Sequence, residues 1–179
     1  TLGEGVLRQA VKDVFNADRL PHFDIANAAF VLNFGSDFLS TWVSPVSMAR
    51  AYGKFRNVEG HERGTFVHVG PRFSMTAANA DRWLPVRPGT EGVLALGLAK
   101  IIIEHGWADP QAVQAVTGGR GGAALDAFGI DRVVRDTGMG DYFGVDEQGV
   151  SKAIPKIERL AEDFAKHGPA LAIGGGEAA

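Results

Sequence analysis

Residues 29–34, Ala-Phe-Val-Leu-Asn-Phe, are the segment that most constrains the fold. They form an almost unbroken apolar run, which is typical of a strand buried on both faces of a parallel sheet. Gly35, Ser36 and Asp37 end this run, and residues 38–52 then have apolar side chains at helical spacing. The segment therefore predicts a strand, a tight turn and a helix in direct succession.

Strands and helices alternate along the rest of the chain. Further strands are predicted at 65–69 and 170–173, with a short extended segment at 83–86. Helical spacing recurs in four further segments, which are 3–16, 92–105, 108–116 and 151–167. Residues 117–149 have weak periodicity and are predicted to be mostly loop. The alternation predicts an α/β fold, a Rossmann-like open and mostly parallel sheet with helices on both faces, and residues 1–179 are predicted to form one domain.

The composition excludes several classes of protein. The chain is 45% hydrophobic and 22% charged, as an ordinary globular protein is. A net charge of -3 gives no electrostatic reason to expect a nucleic-acid partner. The longest apolar stretch, 92–103, is too short to insert across a bilayer. The absence of cysteine excludes disulfides and cysteine-held iron–sulfur clusters within this chain, and the scattered histidines predict no metal site or catalytic residue.

The carboxyl ends of the predicted strands are the first candidate binding sites, because ligands of open parallel sheets bind there. These ends are residues 35–37, 70–72 and 174–176. Each contains glycine, which lets the backbone approach a ligand closely. None has the full G-x-G-x-x-G spacing, so an NAD site is not indicated, and an ordinary turn is the alternative at each strand end.

The start of the helix at 92–105 is a further candidate, because Pro88-Gly89-Thr90-Glu91 precedes it. Free N–H groups and the positive end of a helix dipole suit an anion or a hydrogen-bonded base. The alternative is ordinary helix-start chemistry, with Thr90 as N-cap and Glu91 in the first turn.

Two arginines follow predicted strand ends. Arg72 and Arg87 could hold phosphate or carboxylate through bidentate contacts. The alternative is a surface ion pair, for which Asp81 and Glu91 are the expected partners.

Three linked motifs resemble those of one enzyme family. They are Val-Leu-Asn-Phe-Gly-Ser-Asp-Phe-Leu-Ser-Thr-Trp at 31–42, Phe-Val-His-Val-Gly-Pro-Arg-Phe-Ser-Met-Thr-Ala at 66–77, and Asn-Ala-Asp-Arg-Trp-Leu-Pro-Val-Arg-Pro-Gly-Thr-Glu at 79–91. In this order and spacing they resemble the large subunits of the dimethyl sulfoxide reductase superfamily. These are molybdenum or tungsten enzymes that carry a bis(molybdopterin guanine dinucleotide) cofactor. The first motif looks most like the polysulfide-reductase-like and alternative-complex-III-like branches, and the latter keeps the fold without the molybdenum cofactor.

The resemblance implies a cofactor-binding role for ten residues, in three groups. The loop 35–37 would lie against a molybdopterin guanine dinucleotide, residues 70–72 would approach its ribose and phosphates, and Thr90 with Glu91 would face the guanine. The candidate cofactor-binding residues are Gly35, Ser36, Asp37, Gly70, Pro71, Arg72, Arg87, Gly89, Thr90 and Glu91. The metal ligand and any iron–sulfur clusters would lie elsewhere in the full-length protein.

Two positions depart from the family pattern. The family usually has an acidic residue before Pro-Arg, whereas this chain has Gly70, which cannot accept a bond from a ribose hydroxyl. Many members have Asp after Pro-Gly-Thr, whereas this chain has the longer Glu91. Thr90 with Glu91 favours a domain that helps to bind the cofactor in a respiratory oxidoreductase. Gly70 favours a cofactor-free scaffold in an electron-transfer complex, and a stand-alone nucleotide- or sugar-binding domain is a third alternative.

The resemblance also implies partners. We expect the chain to be a fragment of a larger subunit, without catalytic activity of its own. Its partners would be the remaining domains of that subunit and, beyond them, iron–sulfur and membrane-anchor subunits. These partners imply a periplasmic or membrane-associated location, with no nucleic acid and no direct membrane insertion.

Overall fold

A computed structural model describes residues 4–57 and 62–174. The chain divides into two compact units, of which the first comprises Thr1–Leu84 and His167–Ala179 and the second Pro85–Lys166. Gly3 of the first predicted helix, and Gly175 and Gly176 of the last predicted strand end, lie outside the described residues. That residues 1–179 form a single domain stays a prediction.

A parallel sheet is the framework of the first unit. Its strands are β1 (Phe30–Phe34), β2 (Thr65–Val69), β3 (Arg82–Leu84) and β4 (Ala170–Gly174). They lie in the order β3-β2-β1-β4, and every pairing is parallel. All residues of the inner strand β1 are buried, as its apolar sequence predicts. The α/β class and the parallel sheet are therefore confirmed, and the extended segment expected at 83–86 is the short strand β3.

In the described part of the first unit there are also three helices and one 3-10 turn. These are α1 (Glu4–Phe15), the turn Ile25–Asn27, α2 (Pro45–Arg56) and α3 (Met75–Ala78). The turn, α2 and the sheet share a core of buried side chains, which are Ile25, Val31, Phe38, Met48, Phe55, Phe66 and Ile173. The core joins residues that are far apart in sequence, as burial of both faces of a central strand requires.

A helix is present in the segment predicted at 38–52, but its predicted start at residue 38 is wrong. It begins at Pro45, and the seven residues before it form turns instead. The carbonyl of Asp37 accepts the N–H groups of Ser40 at 3.0 Å and Thr41 at 2.9 Å, which closes a tight turn. The ring of Pro45 disfavours helical conformation at the residue before it, so a helix can begin at the proline but cannot run through it.

Five helices make up most of the second unit. They are α4 (Glu91–Glu104), α5 (Pro110–Thr117), α6 (Ile130–Thr137), α7 (Met139–Phe143) and α8 (Ala153–Lys166). α5 is capped by Asp109, whose side chain accepts the N–H of Ala112 at 2.8 Å. α4 and α6 pack so closely that a Cβ on Gly97 would lie 2.5 Å from a methyl of Val133. Among the described residues, no helix is long and apolar enough to cross a membrane.

The loop predicted at 117–149 is wrong. This segment contains α6, α7 and a 3-10 helix at Gly121–Phe128. α6 has only eight residues and ends at Gly138, which has a φ of 72°. Helices this short complete about two turns, so they do not show a sustained helical period in the sequence.

Candidate functional site

Gly35 and Gly70 lie side by side at the carboxyl ends of β1 and β2. The N–H of Gly35 donates to the carbonyl of Val69 at 2.8 Å, and that of Gly70 donates to Leu84 at 3.1 Å. A Cβ on Gly70 would lie 3.8 Å from the Cα of Gly35. Gly35 has a φ of 73°, a conformation that favours glycine. Two of the predicted strand ends therefore lie directly beside each other.

The side chain of Asn33 links these two strand ends. Its amide nitrogen donates to the carbonyl of Ser36 at 2.7 Å and to Nδ1 of His68 at 2.8 Å. Its oxygen accepts the N–H of Ser36 at 3.2 Å and the hydroxyl of the same residue. The backbone of Ser36 settles the orientation of the amide, because a carbonyl can only accept and an N–H can only donate. All three residues are buried.

His68 is consequently neutral with its proton on Nε2. Burial lowers the pKa of His68 to about 4, and the charge of Asp37 opposes this shift only in part. Nδ1 accepts from the amide of Asn33, so the single ring proton is on the other nitrogen. Nε2 points toward Gly70, where a Cβ would lie only 2.9 Å away. Among the described residues, Nε2 has no hydrogen-bond partner.

Asp37 and Arg72 lie at the same end of the sheet. The hydroxyl of Thr76 donates to Oδ1 of Asp37 at 2.5 Å, and a guanidinium nitrogen of Arg72 lies 3.5 Å from Oδ2. The side chain of Arg72 is 78% exposed, and the adjacent Pro71 is exposed as well. Arg72 is thus an accessible cation that its carboxylate partner holds only loosely.

The ion-pair partners expected for the two arginines are wrong. Arg72 pairs with Asp37, and Arg87 pairs with Asp141 at 2.6 Å. Asp81 is already occupied, because two other arginines bind it and it also accepts the N–H of Phe66 at 2.8 Å. The expected partners were residues close to the arginines in sequence, whereas the actual partner of Arg87 is 54 residues away.

Arg87 in the second unit is held by its neighbours. One guanidinium nitrogen donates to the carbonyl of Arg135 at 3.1 Å, and the other to Asp141. The backbone N–H of Arg87 donates to the carbonyl of Thr137 at 2.8 Å. Beside it is an open cavity of about 360 Å³, lined by Pro85, Val86, Arg87, Thr137, Gly138, Asp141 and Tyr142.

Residues 87–90 form a tight turn before α4. The N–H of Thr90 donates to the carbonyl of Arg87 at 3.2 Å, and Gly89 has a φ of 77°. Proline followed by a glycine of positive φ is the sequence of a type II turn. Thr90 is at the N-cap position, but its hydroxyl donates to the carbonyl of Arg87 at 2.6 Å and does not cap the helix. Thr90 is therefore the N-cap residue and Glu91 lies in the first turn, as the alternative expected, but without a side-chain cap hydrogen bond.

Glu91 is the first residue of α4 and is nearly inaccessible, with 4% of its surface exposed. Its Oε2 atom is buried and has no hydrogen-bond partner among the described residues. A buried carboxylate oxygen without a donor is costly, because it loses water and gains nothing in return. Such an atom marks a place where a ligand with N–H or O–H groups would be stabilised.

Two residues of this arrangement were not predicted. Asn33 and His68 were assigned to strands and given no role at the site, although both are buried and hydrogen-bonded at its centre. The signal was present in the sequence as a single polar residue inside each of two apolar strands. Only the register, in which Asn33 pairs with His68, shows that the two interruptions meet. Among the residues described, no group of three or more His, Asp or Glu side chains could hold a metal ion.

Comparisons with known proteins find relatives that match about half of the chain. No family model matches it. It is 39% identical over 84 residues to the menaquinone reductase, molybdopterin-binding-like subunit of Nitratidesulfovibrio vulgaris, a match of 47% of this chain and 12% of that protein. It is 34% identical over 91 residues to the arsenate respiratory reductase molybdopterin-containing subunit of a Shewanella species, or 49% of this chain and 10% of the relative.

A solved structure agrees on the fold. Acetylene hydratase from Pelobacter acetylenicus superposes with a TM-score of 0.68 over 95% of this chain and 21% of its own length, at 22% identity. At that identity the likeness shows the fold alone. The sequence matches span about a tenth of each relative. The homologues of this chain are molybdopterin-containing reductase subunits, and it corresponds to a segment of them.

Proposed function

We propose that this chain is a domain of a molybdopterin oxidoreductase large subunit, in which it helps to bind molybdopterin guanine dinucleotide. The observation that carries the proposal is the buried and unpartnered Oε2 of Glu91 at the start of α4. The names of the relatives, which describe molybdopterin-binding-like and molybdopterin-containing subunits, support it.

Glu91 has the chemistry that a guanine base needs. A carboxylate has two acceptor oxygens, and the N1–H and N2–H groups of guanine are two donors on one edge of the base. The position at the N-terminus of a 14-residue helix adds backbone N–H groups and the positive end of its dipole. Glu91 would hold the base, and the turn through Gly89 fixes where the helix begins.

The strand ends of the first unit, taken by themselves, have features that suit a polar ligand. Gly35 is exposed and has no side chain, so a ligand can approach its backbone closely. Arg72 offers an exposed guanidinium for a phosphate. When bound, the cofactor supplies the redox chemistry at its metal, molybdenum or tungsten, and the residues of this chain supply only position and electrostatics.

The proposal extends to the assembly. The relatives are subunits about ten times as long as the matched segment, so the other domains of the large subunit would be the nearest partners. Iron–sulfur and membrane-anchor subunits would complete the complex, which would be periplasmic or associated with a membrane. Within the dimethyl sulfoxide reductase superfamily, we place the chain closest to the polysulfide-reductase-like and alternative-complex-III-like branches.

A cofactor-free scaffold in an electron-transfer complex is the second candidate function. Gly70 is the observation that favours it, because it offers no side-chain acceptor to a ribose hydroxyl. The description of one relative as molybdopterin-binding-like is compatible with such a role.

The experiment that tests the proposal substitutes Glu91 in the full-length subunit. Glu91→Ala should lower the guanine nucleotide released per chain after denaturation by roughly tenfold or more, because charged hydrogen bonds contribute about 1.5–3 kcal/mol. Glu104→Ala is the matched control, since Glu104 is on the same helix but exposed. Equal nucleotide content in wild type and Glu91→Ala would contradict the proposal.

A further inference from the structure

A cavity of about 510 Å³ lies in the first unit, between α2 and the segment that leads into β1. One wall comes from residues 22–26, and the other comes from Ser44 and the face of α2 that follows it, as far as Lys54. This volume is in the range of sites that bind small molecules. None of the ten candidate cofactor-binding residues contributes to the lining. The cavity is therefore a separate candidate site.

The core of the first unit fixes both walls of the cavity. Ile25 and Met48 belong to that core, and Phe23 and Ala51 pack against it. The ring of Phe23 also lies 5.2 Å from the ring of Trp42. Because a closely packed core holds its side chains in place, the cavity exists before any ligand enters.

Two cations of α2 line the cavity without a partner. Arg50 and Lys54 are one helical turn apart and exposed, and in the described part of the chain neither side chain makes a hydrogen bond or an ion pair. Like charges at this spacing repel each other and destabilise a helix. Asp24, the acidic residue of the lining, has both oxygens bonded to the amide of Asn27, at 3.0 and 2.8 Å. An anion in the cavity would relieve the repulsion.

The remaining lining residues define what kind of anion fits. Ser44 is the N-cap residue of α2, but its side chain makes no cap hydrogen bond, and within the described ranges the hydroxyl of Ser47 has no partner either. A phosphate group has oxygens that point in several directions, so it can accept from hydroxyls, a guanidinium and an ammonium together. Phe23 and Val46 add apolar surface, and Val46 is 75% exposed. These features suit a phosphate joined to an apolar group.

We propose that this cavity binds a small phosphate ester, with Arg50 and Lys54 on the phosphate and with Phe23 and Val46 against the organic part. The volume is far larger than one phosphate group needs, and the apolar side chains account for the remainder. The inference is independent of the proposed function, because the cavity shares no residue with the candidate cofactor-binding groups.

Two variants of the full-length subunit test the inference. The double variant Arg50→Gln with Lys54→Gln removes both charges, whereas Ser47→Trp keeps them and fills the cavity from an exposed position. The matched control is Lys12→Gln with Arg19→Gln, which removes the same two charges from exposed positions outside the cavity. The probes are phenyl phosphate and inorganic phosphate, and their affinities are measured by titration calorimetry at constant ionic strength.

Wild type should bind phenyl phosphate roughly severalfold more tightly than inorganic phosphate, because the ring buries apolar surface. Both cavity variants should weaken the binding of phenyl phosphate roughly tenfold or more, and the control should stay within about twofold of wild type. Circular dichroism shows whether each variant is folded. The two cavity variants differ in chemistry, so one remains informative if the other fails to fold. Their guanine nucleotide content should equal that of wild type, which separates this test from that of the proposed function.

Three results would overturn the inference. If wild type does not bind phenyl phosphate, the cavity is not such a site. If the double variant loses affinity but Ser47→Trp does not, the anion binds to surface charge outside the cavity. If a hexaglutamate peptide binds to wild type and displaces phenyl phosphate at lower concentration, the occupant is an acidic segment of a protein and not a small phosphate ester.

Discussion

Asn33 and His68 are register partners on neighbouring parallel strands, and their side chains share a hydrogen bond of 2.8 Å. This bond decides which nitrogen of the imidazole carries the proton and therefore what His68 can offer to a ligand. The side-chain amide of Asn33 also bonds to the backbone carbonyl and the backbone N–H of Ser36, and so holds the loop that follows β1. One side chain thus connects the core of the sheet with the candidate site.

The stability of the protein should fall as the pH drops from about 6.5 towards 4. Burial lowers the pKa of His68 to about 4, whereas an unfolded histidine titrates near 6.5. The folded state therefore favours the neutral ring, and this contribution is complete above pH 6.5 and lost as the unfolded chain takes up a proton. The loss amounts to at most about 3 kcal/mol at pH 4. Urea unfolding at a series of pH values measures it.

His68→Asn is the control for this pH dependence, because it removes the titrating group and keeps a polar side chain. Carboxylates that titrate in the same range are present in both proteins and cancel in the comparison. We expect the difference in unfolding free energy between wild type and variant to shrink between pH 6.5 and 4. A difference that stays constant over this range would show that His68 does not titrate with a lowered pKa.

Asn33→Leu should destabilise the first unit by roughly 2–4 kcal/mol, since it leaves the buried polar groups of Ser36 and Nδ1 of His68 without partners. Thermal or urea unfolding provides the measurement. Asn27→Leu is the control, because the amide of Asn27 bonds only to the exposed Asp24 in the contacts found, and we expect a change below about 1 kcal/mol. Similar losses in the two variants would contradict the role given to Asn33.

The apolar strands and the glycines that follow them were predictable from the sequence, because a buried parallel strand has a strong local signal. The contact between Asn33 and His68 was not, since it depends on the register that brings the two residues opposite each other. The helices within 117–149 were missed because each is too short to repeat an apolar pattern over more than about two turns. Likewise, the partner of Arg87 could not be predicted, because Asp141 reaches it only through the packing of the second unit.

Asp81→Asn should cost about 1–3 kcal/mol of stability. Burial raises the pKa of Asp81, but hydrogen bonds from Arg56 and the N–H of Phe66, with the nearby arginine charges, lower it on balance. The stabilisation is therefore present at neutral pH and lost as the pH falls below about 4. The side chain of Arg56 is only 15% exposed, so its charge would remain buried in the variant.

Asp141→Asn is the matched control for this prediction, because Asp141 also lies 2.6 Å from an arginine nitrogen. Asp141 is 81% exposed, and exposed ion pairs contribute little, so we expect a change of about 0.5 kcal/mol or less. Chemical denaturation of both variants at pH 7 makes the comparison. Equal losses would show that burial is not what makes the pair of Arg56 and Asp81 stabilising.

Glu91→Met should stabilise the ligand-free protein while it weakens nucleotide binding. Removing the unpartnered Oε2 relieves a cost of about 1–3 kcal/mol, whereas losing an acidic residue at the start of α4 forfeits only about 0.3–1 kcal/mol of dipole interaction. We therefore expect a net gain of about 1 kcal/mol by urea unfolding. Glu104→Met, on the exposed part of the same helix, should change neither property; a destabilised Glu91→Met would mean that Oε2 already has a partner.

The central claim is that this chain belongs to a subunit that holds molybdopterin guanine dinucleotide. The direct measurement is the amount of molybdenum, tungsten and guanine nucleotide per chain in the full-length subunit, purified natively, by mass spectrometry of the metals and chromatography of the released nucleotide. We predict near-stoichiometric metal and about two guanine nucleotides per chain, as the bis form of the cofactor implies. A folded subunit that contains neither metal nor nucleotide would contradict the claim and identify the domain as a scaffold.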